Sequence, residues 1–433
     1  MRNIYLIMIV AASAITSNVY SQSATPVNWI HGLGETDKIW KNYAPLFEQE
    51  RIMTSNTPVY YDNDRSGVVS AKNTLDNRMT ASASNILIGH SMGGLVAREY
   101  ERNYGSSLVR GIVTVTSPNQ GATVANQIIS GNAQTIINRG IADLSAGPVA
   151  DGKTIMNALL TSSLTGIPTT VTNKIINKKV DAFLKENLFV KVSEFLANEP
   201  YATLEDFKVN GTYINGLNAY TARVPIVNII CEENDKAALR IANSAISPPE
   251  DATLNQYEDG HVATIVDRLR EIYKGRRIFY DVAKWTNPLA YSSLNSLANK
   301  WQRGENYLGS VYEADYNTLI GATRTLPVTT QVLVQVCNTT CSDPNARVAP
   351  TCPPPTESDC HYEYQNVTTY QVVTTASDGL LPNWTQRMPK IADDNVYTAV
   401  GVNHLEVGNH PEIEKAYRKV FDRTDQLRVL KRQ

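Results

Sequence analysis

The sequence predicts an α/β protein: a doubly wound, mostly parallel sheet interrupted by a helical cap insertion and by a second insertion that contains disulfides. Three observations carry that reading. Short apolar, β-branched runs alternate with helical stretches from residue 26 onward, the order that lays strands side by side in parallel with helices on both faces. One of those runs, residues 85–88, passes through Gly89-His90-Ser91-Met92-Gly93-Gly94 directly into an apolar helical pattern. The alternation then breaks off twice, and the second break ends in four closely spaced cysteines.

The strands follow in order. Residues 26–30 form a short buried run that ends in His31-Gly32-Leu33-Gly34, where paired glycines let the backbone approach a ligand. A helical stretch over residues 38–50 leads to a strand at 57–61, and another leads to the run before Ser91. Residues 111–116 are continuously β-branched, as expected of a strand covered on both faces. Residues 223–231 restore the sheet after the first insertion, and residues 396–400 supply a last strand before Asn403-His404. Pro411 then opens an amphipathic terminal helix.

Ser91 in this setting is a nucleophile candidate. A strand that turns sharply into a helix leaves one serine on an exposed, strained corner, and Gly89 and Gly93 remove the side chains that would crowd it. The backbone N–H of Met92, at the helix start, is placed to bind a developing oxyanion, and the loop after the first strand offers Leu33 as the second donor.

Composition bounds the class. In 433 residues, 42 acidic and 40 basic side chains nearly cancel, which gives no electrostatic case for a nucleic-acid partner. The 22 tyrosines against 7 phenylalanines suit wet, hydrogen-bonding surfaces. Met1-Arg2-Asn3, the apolar run at 4–15 and the small residues up to Ser21 have the form of an export signal cleaved near Ser21. The run is short for a span of about 20 residues, which disfavours an uncleaved anchor. The expected organisation is therefore a signal peptide over 1–21 and one domain over 22–433, with a helical cap or lid at 123–220 and a second insertion at 236–372. The cap's apolar face recurs at helical spacing through Ile176, Val180, Phe183, Leu184, Leu188 and Val192.

His31-Gly32-Leu33-Gly34, Gly89-His90-Ser91-Met92-Gly93-Gly94 and Thr116-Ser117-Pro118-Asn119-Gln120-Gly121-Ala122 together resemble the α/β-hydrolase superfamily, and more narrowly secreted bacterial triacylglycerol lipases and esterases. Asn119 departs from that group's pattern, which has histidine there. The resemblance implies a serine hydrolase of carboxylic esters, with an ester or lipid substrate and transient contact with a lipid interface. It implies no cofactor; a structural calcium ion is compatible with it, with no ligand cluster to name. It also implies a chain order of serine, acid, histidine.

Among six histidines, His31 belongs to the first loop, His90 adjoins the serine, His361 lies by the cysteines, His261 starts a helical run and His410 precedes a helix. His404 is left as the base. For the acid, Asp378 in an Asp-Gly turn is favoured, with Asp235 after the strand at 223–231 and Asp259 as alternatives. The competing function is a non-catalytic binding protein on a hydrolase scaffold; an acyltransferase or peptidase would use the same three residues.

Residues 331–337 and 360–367 alternate like two antiparallel strands, with Cys337, Cys341, Cys352 and Cys360 at or between them. In an exported chain this reads as a disulfide-pinned hairpin, the nested pairs Cys337–Cys360 and Cys341–Cys352 suiting it best. A zinc knuckle would call for a Cys-x-x-Cys pair that is not present. Cys231 is left over as a buried thiol.

Overall fold

The computed structural model describes residues 23–59, 67–79, 84–133, positions 135, 136, 139 and 143, and residues 201–233, 262–337 and 360–432. The export signal, the apolar face at 176–192, Asp235, Asp259, His261, Cys341 and Cys352 lie outside the described residues.

Six strands make the central sheet: β1 (Thr25–Ile30), β2 (Met53–Val59), β3 (Asn85–His90), β4 (Val109–Val115), β5 (Ile226–Glu232) and, last in the chain, β8 (Val396–Val400). Their spatial order is β2-β1-β3-β4-β5-β8, and every pairing is parallel. This is the predicted architecture. From β1 the chain moves outward to β2, then returns to β1's other side and proceeds through β3, β4 and β5. The order therefore reverses between β1 and β3, and the carboxyl ends of those two strands flank the crevice where ligands bind in open α/β sheets.

The sheet is covered on both faces because its strands are apolar on both. Leu87 joins one buried cluster with the helices α2 (Gly67–Asp76) and α3 (Met92–Tyr104), whereas Ile86 and Ile88 join a second with α1 (Tyr43–Glu50) and the terminal helix. In the second cluster Trp29, Trp40 and Phe47 surround Tyr417 of that helix, with centroids 5.4 Å (Trp29–Tyr417) and 5.9 Å (Phe47–Tyr417) apart. β2 begins earlier than its apolar pattern suggests. It starts there because Thr54, Ser55 and Asn56 pair in parallel with Pro26, Val27 and Asn28 of β1, the edge strand taking its register from that neighbour.

The described parts of the first insertion are helical: α4 (Thr123–Ile129), α5 (Tyr201–Asp206) and α6 (Thr212–Ala219). In the second, α7 (Val262–Thr286), α8 (Tyr291–Asn306) and α9 (Tyr312–Ile320) precede the hairpin β6 (Thr323–Cys337) and β7 (Cys360–Thr374). The hairpin is longer than its sequence signal, an antiparallel ladder running from Thr323↔Thr374 to Cys337↔Cys360. Alternation there predicts one buried face, yet Leu333, Tyr362, Tyr364, Tyr370 and Val372 are all exposed. Among the described residues the ribbon pairs only with itself, and these side chains stay exposed. Cys360, in its last rung opposite Cys337, is disulfide-bonded. A two-stranded ribbon is marginal in water by itself. Cys231 is free and buried in β5. No described helix is long and apolar enough to cross a membrane.

The aromatic cluster fixes the terminal helix, and with it the segment that follows β8. Phe47→Ala should cost about 3–5 kcal/mol of unfolding free energy, the usual loss for a buried aromatic. Urea denaturation of the two proteins measures it; a loss under about 1 kcal/mol would mean that the cluster is not what anchors that helix.

Candidate active site

The loops after β1, β3 and β8 meet a segment that returns to the end of β5. Ser91 caps the start of α3 with φ 51° and ψ −125°, a conformation rare for any residue with a side chain. Its N–H donates to Val115 O of β4 at 2.9 Å, and its carbonyl accepts from Gly94 N at 3.1 Å. The elbow is packed against the first strand as closely as backbone allows. A Cβ at Gly93 would lie 2.5 Å from Ile30 O and 2.6 Å from His31 O, so only glycine fits. Met92 N, in the first turn of α3, has no carbonyl four residues back to accept its bond, and the helix dipole adds positive potential there.

Beyond β8 the chain turns at Gly401, whose N–H, with that of Val402, donates to Glu232 O at the end of β5. His404 follows and is buried. Its Nδ1 lies 2.7 Å from Asp378 Oδ2, and its backbone N–H donates to Asp378 O at 2.8 Å. The other carboxylate oxygen, Oδ1, accepts from Leu380 N at 2.9 Å and Leu381 N at 2.6 Å. Asp378 is thus completely enclosed and hydrogen-bonded at both oxygens. With Asp378 ionised, His404 carries its proton on Nδ1, which leaves Nε2 as the acceptor.

Burial disfavours a charged His404, but the Asp378 carboxylate, by charge and by hydrogen bond, and the charge of Glu35 outweigh it. The pKa of His404 therefore lies above the ordinary histidine value.

Of the residues singled out from sequence, the structure brings Asp378 and His404 into direct contact and sets them beside the elbow. The His404 ring lies 4.9 Å, centroid to centroid, from His90, the residue before Ser91. No hydrogen bond joins Ser91 Oγ to His404 among the described residues; such bonds often close only once a substrate is present. Leu33 sits in a turn closed by Glu35 N donating to Gly32 O at 3.3 Å. His31 braces that loop through Nδ1 and Gly32 O at 3.0 Å, and burial lowers its pKa. His361 is exposed, and His410 caps the terminal helix α10 (Pro411–Phe421), its Nδ1 accepting from Glu412 N. Asn119 is buried and structural. It accepts Arg98 Nη1 at 3.0 Å and donates to Gln386 O at 2.6 Å, which ties α3 to the segment carrying Asp378.

The sequence reading missed Glu35. Its Oε2 lies 2.7 Å from His90 Nδ1 and accepts Gly32 N at 2.7 Å. An isolated acid 55 positions from its partner carries no local signal.

A family model described as a PGAP1-like alpha/beta domain matches residues 65–189, the stretch that contains the elbow. The chain has the fold of the α/β-hydrolase superfamily. Curated proteins give no match. Among solved structures, phospholipase PlaB from Legionella pneumophila is 10% identical over 50% of this chain and 41% of its own, with a TM-score of 0.29. The chain thus covers about two-fifths of that phospholipase. A thermophilic esterase from Thermogutta terrifontis is 17% identical over 56% of this chain and 78% of its own, with a TM-score of 0.24. A lipase-esterase related protein from Clostridium acetobutylicum is 16% identical over 49% and 76%, with a TM-score of 0.22.

If His404 is the base, it must be neutral to accept a proton. Hydrolytic kcat/KM should then fall as pH drops through a pKa above about 6.5. Asp378→Asn should lower kcat by about 10⁴-fold with the fold retained, and should move that acid limb downward, because the charge that raises the pKa is gone. A pH–rate series on both proteins, with thermal unfolding alongside, tests this. An unshifted limb and a loss below about tenfold would remove Asp378 from the role.

Proposed function

We propose that this protein is an exported serine hydrolase of carboxylic esters that works through an acyl-enzyme on Ser91. The observation that carries the reading is the enclosed Asp378–His404 pair, 2.7 Å apart, beside a serine held at φ 51° where the strand order reverses.

In this reading Ser91 Oγ attacks the ester carbonyl carbon while its proton passes to His404 Nε2. The carbonyl oxygen becomes an oxyanion and takes hydrogen bonds from the backbone N–H groups of Leu33 and Met92. Collapse breaks the bond to the alkoxy oxygen, which leaves as an alcohol with the proton from His404. Water then gives a proton to His404 and attacks the acyl carbon; the acid leaves and Ser91 regains its proton. Asp378 holds His404 in the required tautomer and stabilises the imidazolium formed in each half. No step calls on a cofactor. Export follows from the basic start, apolar run and small residues up to Ser21.

A fluorophosphonate probe should label the exported protein on Ser91 and should not label Ser91→Ala. A series of p-nitrophenyl esters from acetate to palmitate should be hydrolysed, with a maximum that reports the acyl length accepted. Absence of both labelling and turnover in folded protein would leave the non-catalytic reading in its place.

The hairpin carries a separate expectation. Peptide mapping of non-reduced protein should recover Cys337 linked to Cys360 and Cys341 to Cys352, with Cys231 alkylated only after unfolding. Bound zinc, or free thiols at those four positions, would overturn the pinned hairpin.

A further inference from the structure

We propose that Glu35 is a positioning residue for acyl transfer: a single carboxylate oxygen fixes the oxyanion loop at Gly32 and, through a doubly protonated His90 ring, the backbone of His404. The inference rests on the serine-hydrolase reading above and adds to it a second acid that touches no substrate.

The geometry begins with the two nitrogens of His90. Nδ1 lies 2.7 Å from Glu35 Oε2, and Nε2 lies 3.1 Å from the carbonyl oxygen of His404. A carbonyl oxygen only accepts, so Nε2 carries a proton. A carboxylate only accepts as well, so Nδ1 carries the second unless Glu35 itself is protonated. Burial raises the Glu35 pKa, but the charge and hydrogen bond of His90, with the Gly32 N–H, outweigh it and leave the carboxyl below its usual range. Oε2 also accepts the Gly32 N–H, as a carboxylate oxygen does, so this geometry places the second proton on Nδ1 and makes Glu35 and the fully enclosed His90 an ion pair.

The same Oε2 accepts Gly32 N at 2.7 Å, and Glu35 N donates back to Gly32 O at 3.3 Å. These reciprocal bonds fix the turn that aims the Leu33 N–H. The turn also lies hard against the elbow, since a Cβ built on Gly32 would come 2.7 Å from Glu35 Oε2 and 2.9 Å from Ser91 Cβ. One carboxylate thus links three segments: the loop after β1, the end of β3 and the loop carrying His404. Those segments respectively hold the oxyanion donor, the nucleophile and the base. A group that holds donors where charge develops acts on the transition state more than on substrate binding, so its loss should appear in kcat.

The test uses the full exported protein and Glu35→Gln, which keeps the side chain's size and an acceptor for Gly32 N but removes the charge. Nitrogen-15 spectra of the histidine rings near neutral pH should show both His90 nitrogens protonated in the wild type and only one in E35Q. For p-nitrophenyl ester hydrolysis, kcat of E35Q should fall about tenfold or more, short of the 10²–10³ lost with an oxyanion donor itself, with KM nearly unchanged. Fluorophosphonate labelling of Ser91 should slow in parallel, with unfolding temperatures compared to exclude loss of fold. A wild-type His90 with one bare nitrogen overturns the proposal, as does E35Q with wild-type kcat and labelling rate. Failure of the probe to label wild-type protein would instead strike the serine-hydrolase reading, while the ring spectra would still report whether the ion pair exists.

Discussion

Ser91 holds a backbone conformation that costs about 1–3 kcal/mol and persists only where its surroundings over-determine it. The surroundings do so from three sides. Its N–H is committed to Val115 O, which pins the strand end to β4. Gly93 rests on the carbonyls of Ile30 and His31, so the first turn of α3 cannot move away from β1. Arg98, further along α3 and buried, donates to Asn119 Oδ1 and Leu217 O and locks the helix to the loop after β4 and to α6. Thr116, at the end of β4, is itself at φ 43°, so two neighbouring strand ends carry strain. Relaxing either would shift hydrogen bonds shared with the other.

The second insertion becomes intelligible from that frame. β5 ends at Glu232, and the chain leaves the sheet for more than a hundred residues before Asp378. It returns to the point it left. Glu233 N donates to Ser377 O at 2.6 Å, and the Gln386 side-chain amide bonds both the N–H and the carbonyl of Cys231. Loop-closure entropy grows only slowly with length, so helices and a ribbon can be accommodated between strand and acid provided the neck is clamped. Asp378 therefore occupies the place that follows β5 in space, although the sequence puts it far downstream.

This explains what was legible and what was not. Ser91 is written in a local pattern of strand, glycines and helix, and His404 in a strand followed by a loop, so both positions could be read directly. Sequence favours Asp378 over Asp235 only through its Asp-Gly turn and the strand before His404; the clamp that sets Asp378 beside the end of β5 has no local signal. Asn119 shows the converse. It departs from the family histidine, yet its buried bonds to Arg98 and Gln386 keep the segment structural. The β6–β7 ribbon alternates in sequence yet keeps its apolar side chains exposed among the described residues, because alternation records pleat geometry and not what lies beyond the pleat. Glu35 was invisible for a different reason: its role is made entirely by contacts with residues distant in sequence.

The electrostatics of the site then follow from two enclosed histidines, each paired with a carboxylate. Bringing a positive charge onto buried His404 would be costly in an apolar enclosure. Asp378 lowers that cost because its own charge is already satisfied by Leu380 N and Leu381 N, and so it need not reorganise when the proton arrives. His90, only 4.9 Å away, would raise the cost again if its imidazolium stood alone. Glu35 cancels that charge and adds its own field, which also raises the pKa of His404. The two pairs thus divide the work. One carboxylate orients the His404 ring, and the other faces the His90 ring, so charge is balanced at both before substrate arrives.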